Sequence, residues 1–366
     1  MKLPENNIRN LKNKKQDQSV QSPYSNNYVD FSSGDYIGFS KQGSIFKLAN
    51  SYLAENKNSV TNSLCQTAEL FIAEFHEAES AVIFKTGNEA NTIVFGLLQQ
   101  QNAVILYDEL CHATTRTGIM ASQAQSDSFM HNDFDDLERL IHKNQAATIY
   151  IVTEAAFSID GDSPNLEELI LLSEKYNCHL IISEDHSFGV FGEKGEGLLQ
   201  YLNLHHRVFA RLISFENSLA CSGSVVLGSA KLKTDLASFA VSFEKSAELS
   251  PSSIATIFIS YQQLQTEKLR IEKLRHNIVL FNQQKNLLGL KPIFVRSKSA
   301  IQSAIVPGHE NVKRLALELK EKGFDVKPLF SPTVPEGQER LLFCIHSYNS
   351  KEEINLVLEL FRDFIF

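Results

Sequence analysis

The sequence predicts an α/β chain: a large domain on a mostly parallel sheet, followed by a small α+β domain. Short, fully apolar runs recur at AVIFKTG (81–87), AVILYD (103–108), IYIVTE (149–154), HLIIS (179–183) and VFARLIS (208–214). Helical stretches separate most of them. Apolar runs that do not alternate with polar residues are the mark of strands covered on both faces, as in parallel sheets. After about residue 285 the pattern changes to short strands around two helices.

Taken in order, residues 1–20 read as a basic-polar helix or arm. VDFSSGDYIGF (29–39) mixes turn formers with aromatics and reads as an ordered entry segment. These form a first unit, 1–45. The large domain spans 46–285. It opens with an amphipathic helix over 67–80, its apolar members Leu70, Phe71, Ala73 and Phe75. Helices are expected from Glu89 to Gln99, over 112–122 and over 165–176. SVVLGS (224–229) reads as an antiparallel strand at a sheet edge. A long helix is expected from Ser252 to Gln284. The small domain, 286–366, has strands within 291–306 and 324–347 and helices over 309–322 and 350–363.

Composition narrows the function classes. The chain has 366 residues, 43% of them hydrophobic, enough for a sizeable core. Its net charge of −8 and lack of a basic run argue against a nucleic-acid partner. Five cysteines are scattered without a CxxC pair, which suits reduced thiols. The polar N-terminus has no apolar h-region, and no apolar run approaches the ~20 residues of a membrane span. A cytoplasmic protein without a membrane span is expected.

Ligands of open α/β sheets gather where the strands end. Lys85-Thr86-Gly87-Asn88-Glu89 turns a strand into a helix, and a helix start offers N–H groups and a positive dipole end to a phosphate. The same turn also serves as a plain connection. His112 stands at another helix start, in DELCHA, where it can cap or pack. Glu154 ends a strand before AAFSIDGD, and Ser158 lies in that loop. Ser183-Glu184-Asp185-His186 follows the next strand, and Ser214-Phe215-Glu216-Asn217 the last.

In order and spacing, these blocks resemble the α-oxoamine synthase family of pyridoxal-phosphate (PLP) enzymes, from about Asp30 to the C-terminus. The family includes the 8-amino-7-oxononanoate synthases of biotin synthesis. The resemblance implies a fold-type I PLP-transferase architecture and PLP as cofactor. It implies cofactor contacts from Gly87, Asn88, His112, Glu154, Ser158, His186 and Ser214: phosphate at the glycine turn, His112 stacked on the ring, His186 on its phenolic oxygen. It also implies acyl-CoA and a small amino acid as substrates, and a dimer with sites at its interface.

The same resemblance exposes four losses. The Schiff-base lysine position is Asn217, and an amide cannot hold the cofactor's aldehyde. The aspartate beneath the pyridine nitrogen is Ser183. Asp185, two residues on, would be displaced by ~6.6 Å along an extended strand. In the closing Arg-x-Arg motif, Arg340 is kept and the carboxylate-binding second arginine is Leu342. The Gly/Ser/Arg-rich loop is AENKNSVTNS (54–63). Lys85, Lys194, Lys231 and Lys245 are near in sequence, but none matches the family's position. A non-catalytic subunit of serine palmitoyltransferase, in the same family, also lacks the lysine and carries a Glu-Asn-x-Leu-Ala segment like 216–220 here. Three expectations follow: a non-catalytic or regulatory partner, as a homodimer or with an active paralogue; an active synthase with a substitute base; or a noncovalent binder of PLP, another phosphate or acyl-CoA.

Overall fold

The computed structural model describes residues 28–56, 61–100, 103–144, 147–242 and 249–366. The expected arm over 1–20, positions 57–60 of the altered loop, and Lys245 lie outside the described residues.

The chain enters through β1 (Val29–Phe31), then α1 (Gly43–Glu55) and α2 (Thr61–Phe75). β2 (Ser80–Phe84), α3 (Gly87–Gln100), β3 (Val104–Asp108), α4 (Ala113–Ser122), β4 (Gln125–Phe129) and α5 (Phe134–Lys143) follow. Next come β5 (Ile149–Glu154), α6 (Leu166–Lys175), β6 (His179–Ser183), the short α7 (Leu198–Tyr201), β7 (Ala210–Ser214) and β8 (Ser224–Gly228). Helices α8 (Ala230–Ser242), α9 (Pro251–Thr266) and α10 (Lys268–Leu287) lead to β9 (Ile301–Ile305), α11 (His309–Glu321), β10 (Phe324–Leu329), β11 (Arg340–Cys344) and α12 (Lys351–Ile365).

A seven-stranded sheet runs β2-β8-β7-β6-β5-β3-β4, parallel except for β8. Its side chains feed three cores, one of which takes Ile83, Ile213 and Val225 beside Ile72 and Ile257. Ile105, Tyr150, Val152 and Ile181 pack under α3 and α8, beside Val94, Leu98 and Leu236. Leu106, Ile151, Leu180 and Ile182 pack under α5 and α6, beside Leu137, Ile141 and Ile170. Both faces are apolar because both are covered, which is the pattern the sequence displays. Each such buried side chain is worth roughly 1.5–3 kcal/mol. Helix starts are pinned locally: Asp133 accepts from Asp136 N–H, Asn165 from Glu168 N–H, and Ser350 and Glu353 form a reciprocal capping box.

Several expectations need correction. The helix expected over 67–80 runs Thr61–Phe75, and Ser80 already opens β2. Leu70 is 71% exposed, on the outer face of that helix. SVVLGS is antiparallel but interior, with β2 at the edge. The helix expected from Ser252 to Gln284 is two helices that meet at Glu267, whose carboxylate pairs with Arg270 at 2.9 Å. β4 and α5 were not expected. QSDSF carries almost no apolar signal because β4 is a polar edge strand.

The second sheet, β1-β10-β11-β9, joins the entry segment to the C-terminal part. β1 runs parallel to β10, with Val29 opposite Phe324, so residues far apart in sequence share one layer.

The turn after β6 is fixed by a buried ion pair. Arg211 Nε donates to Glu184 Oε2 at 2.6 Å, and both side chains are almost wholly buried. The remaining donors reach His76 O at 3.2 Å and Glu196 O at 3.0 Å. Glu184 Oε1 accepts from Leu199 N–H at 3.0 Å and Ser187 Oγ–H at 2.9 Å. A Cβ at Gly197 would lie 2.5 Å from Glu184 Oε1, at φ +108°, so only glycine fits. Arg211→Ala strands the Glu184 charge and is expected to cost about 3–5 kcal/mol in urea denaturation. Arg211→Met with Glu184→Leu should recover part of that loss, and a neutral Arg211→Ala would contradict the role of the pair.

Candidate cofactor site

The turn into α3 and the carboxyl ends of β6 and β7 converge. Gly87, Asn91, Thr115, Ser183, Asp185 and Ser214 line one narrow cavity of about 10 Å³, room for at most a single water. Gly87 opens the fourteen-residue helix α3. Thr86 Oγ1 accepts from Glu89 N–H at 3.1 Å, which leaves the N–H groups of Gly87 and Asn88 for an anion. Glu89 turns back to accept from Lys85 N–H at 2.9 Å.

Asp185 is the group whose placement sequence reasoning misjudged. The chain turns after Ser183 rather than extending, so Asp185 stays in the cavity with Ser183 instead of moving a strand step away. Its Oδ1 accepts from Ser214 N–H at 2.5 Å, and its own N–H donates to Ser183 Oγ at 3.4 Å. Burial pushes its pKa up to about 6, against those hydrogen bonds, with the charges of Glu216 and Glu184 adding to the rise.

Asn217 lies alongside. Its Nδ2 donates to Asp185 O at 3.2 Å and stands 3.5 Å from His186 Nδ1. The entry segment closes over it, since a Cβ on Gly34 would sit 2.3 Å from Asn217 Oδ1. From the same segment, buried Tyr36 places its hydroxyl 2.8 Å from His186 Nδ1. Tyr36 went unread in the sequence, and its signal was the aromatic cluster of 29–39. Burial holds the His186 pKa down at about 3, and the nearby His112 and Lys327 add to the effect. His186 is therefore a neutral ring at physiological pH.

His112 caps α4, its Nδ1 accepting from Thr114 N–H at 3.3 Å, while its own N–H donates to Glu154 Oε1 at 2.5 Å. Burial raises the Glu154 pKa to about 8, with the Asp185 and Asp108 charges adding and the N–H groups of His112 and Ser158 opposing. Thus His112, Glu154 and Ser158 form one hydrogen-bonded cluster.

Arg340 sits elsewhere in function. It is buried and paired with Asp160 at 3.0 Å, and it also donates to Gln338 O. It bolts β11 to the loop after β5 through a buried ion pair. Leu342 is buried in the core beside it in the same strand. Across the ladder from Leu342 stands exposed Lys327, on β10. Burial holds the His112 pKa down, and the charges of Arg116 and Lys327 add to the effect. Sequence reasoning missed Lys327 because only the strand register brings it there. By contrast, Lys231 is tied to Asp235 on the surface.

A family model, aminotransferase class I and II, matches residues 26–360. The chain belongs to the aminotransferase class I and II family. A relative from Emericella nidulans, 8-amino-7-oxononanoate synthase, is 30% identical across 90% of this chain and 88% of its own. Another 8-amino-7-oxononanoate synthase, from Thermosipho melanesiensis, is 28% identical across 92% and 86%. The fold is shared with the solved 8-amino-7-oxononanoate synthase of Francisella tularensis, at TM-score 0.81 and 24% identity, covering 92% of this chain and 98% of that one. It is shared too with serine palmitoyltransferase from S. paucimobilis, solved with a bound PLP-myriocin aldimine, at TM-score 0.84 and 22% identity over 92% and 87%. The chain thus has the α/β fold-type I architecture of a PLP-dependent family.

Within that family frame, the residues fit PLP only in part. The Gly87–Asn88 helix start fits a phosphate. At this end of the sheet Asp185 lines the cavity, Ser183 carries no charge and Asn217 carries no amine. Among the described residues, no helix is long and apolar enough to cross a membrane.

The buried Asp185 carboxylate gives a signed pH test. A carboxyl whose pKa is raised by folding favours the fold fully below its unfolded pKa, near 3.8. That contribution is lost as pH rises through its folded value, about 6. Asp185→Asn keeps the acceptor and removes the titration. Its stability advantage over the parent chain should grow by about 3 kcal/mol between about pH 4 and about pH 7. No growth, or growth of opposite sign, in denaturation series across that range contradicts the burial of this charge.

Proposed function

We propose that this chain is an α-oxoamine-synthase-like cytoplasmic protein without Schiff-base catalysis, acting as a non-catalytic or regulatory partner in a dimer with an active paralogue. One observation carries this reading. The position of the lysine is Asn217, whose amide is engaged with Asp185 O at 3.2 Å. An amide nitrogen is neither nucleophile nor base, so the cofactor's aldehyde finds no partner there. Leu342 removes the anchoring arginine for an amino-acid carboxylate, and Ser183 the charge for a ring nitrogen, so the losses fall on one chemistry.

A second reading has its own support. The free helix start at Gly87 and the cation Lys327 suit noncovalent binding of a phosphate ligand, PLP included. The third reading, an active synthase joining an acyl-CoA to a small amino acid, requires a substitute amine, and the residues in contact with Asn217 among those described, Gly34, Asp185 and His186, carry none.

Three measurements separate these. The purified chain is incubated with PLP, reduced with borohydride and weighed intact; no single-lysine adduct is expected. Release of CoA from an acyl-CoA with glycine, L-alanine or L-serine is expected to be absent. Co-expression with a catalytic paralogue should give a one-to-one heterodimer in native mass spectrometry and a changed kcat/KM for the paralogue. A single-lysine adduct together with CoA release overturns the proposal. Reversible PLP binding, weakened by Lys327→Ala and without an adduct or heterodimer, favours the second reading instead.

A further inference from the structure

We infer that Glu77, His205 and His206 form a binding site for a divalent transition-metal ion of the zinc type. The site is independent of the cofactor cavity. That cavity lies at the carboxyl end of β7, whereas His205 and His206 precede its amino end. Glu77 follows α2 directly, in a left-handed conformation at φ 51°. His205 and His206 lie in a single 3-10 turn before β7. One ligand atom from each of the three residues lies within 4.8 Å of the others. All three line a cleft of about 560 Å³ that water can enter.

The second observation is His205 itself. Its side chain is only 3% exposed, yet neither ring nitrogen makes a hydrogen bond among the described residues. A buried imidazole whose Nδ1 has no hydrogen-bond partner among the described residues, and whose Nε2 meets only a carboxylate, leaves a place for a ligand. Its Nε2 stands 3.3 Å from Glu77 Oε2. Two ligands on one tetrahedral ion at ~2.0–2.1 Å stand roughly 3.3 Å apart, so this spacing suits a shared metal. The rings of His205 and His206 are 3.8 Å apart between centroids, which keeps both on the same side of the cleft.

The surrounding charges permit a cation. Arg211 is committed to Glu184 and Arg207 to Glu174, at 2.6 Å and 2.7 Å. Glu79 adds a carboxylate to the cleft. Two imidazoles and a carboxylate suit zinc, cobalt or nickel rather than magnesium or calcium, and they leave a fourth position for water. Bound there, the ion would tie the end of α2 to the entry of β7.

The test uses the full chain, stripped of metal with a chelator and with its thiols alkylated. Equilibrium dialysis against micromolar zinc should load one ion per chain. Cobalt should give the absorption bands of a tetrahedral ion without thiolate bands. Glu77→Gln and His206→Ala alter exposed side chains, so the metal-free melting temperature should hold. Each should weaken zinc binding by at least about 10–100-fold. Failure to bind micromolar zinc, unchanged affinity in both variants, or binding that thiol alkylation abolishes would overturn the inference.

Discussion

The buried pair between Glu184 and Arg211 is the constraint on which the site depends. Two charges placed out of water are tolerable only when each is matched and further hydrogen-bonded. Here the carboxylate takes three donors and the guanidinium reaches two carbonyls besides. That network bends the chain directly after β6. Because Glu184 cannot move, Ser183 on one side and Asp185 and His186 on the other are held at the end of the sheet. The frame is therefore kept by groups that have nothing to do with a cofactor's chemistry.

Around that frame the polar groups satisfy one another. Asp185 takes the Ser214 N–H, Asn217 donates to Asp185 O, and Tyr36 meets His186. The entry segment, anchored through β1 to the C-terminal sheet, brings Gly34 and Tyr36 onto this cluster. A lysine and an aspartate in the same places would leave charges needing a ligand. Asparagine and serine leave none, so the cluster closes on itself with hydrogen bonds each worth about 1 kcal/mol. The one awkward member is Asp185, a buried carboxylate that folding pushes toward its neutral form.

Much of this was legible in the sequence, for identifiable reasons. β5 and β6 match the apolar runs at 149–154 and 179–183 because strands buried on both faces cannot hide their composition. The family blocks single out Asn217 and Ser183 as altered positions. What stayed hidden depends on long-range geometry. β4 is polar because it is an edge. The register that sets Lys327 opposite Leu342 is encoded by no local pattern. Arg340 matches the retained first arginine of the motif, and Asp160, 180 residues away, pairs with it. Asp185 was read on an extended strand because the turn imposed by Glu184 and Arg211 is a tertiary effect.

The proposed reading is that the family's fold is retained while its covalent chemistry is removed. The most direct measurement is reduction-stable capture of PLP by a chain carrying Asn217→Lys, Ser183→Asp and Asp185→Ala together. The account predicts capture at position 217 in that variant, located by peptide mass, and none in the parent chain. Capture by the parent chain, or a well-folded triple variant that captures nothing, would contradict it.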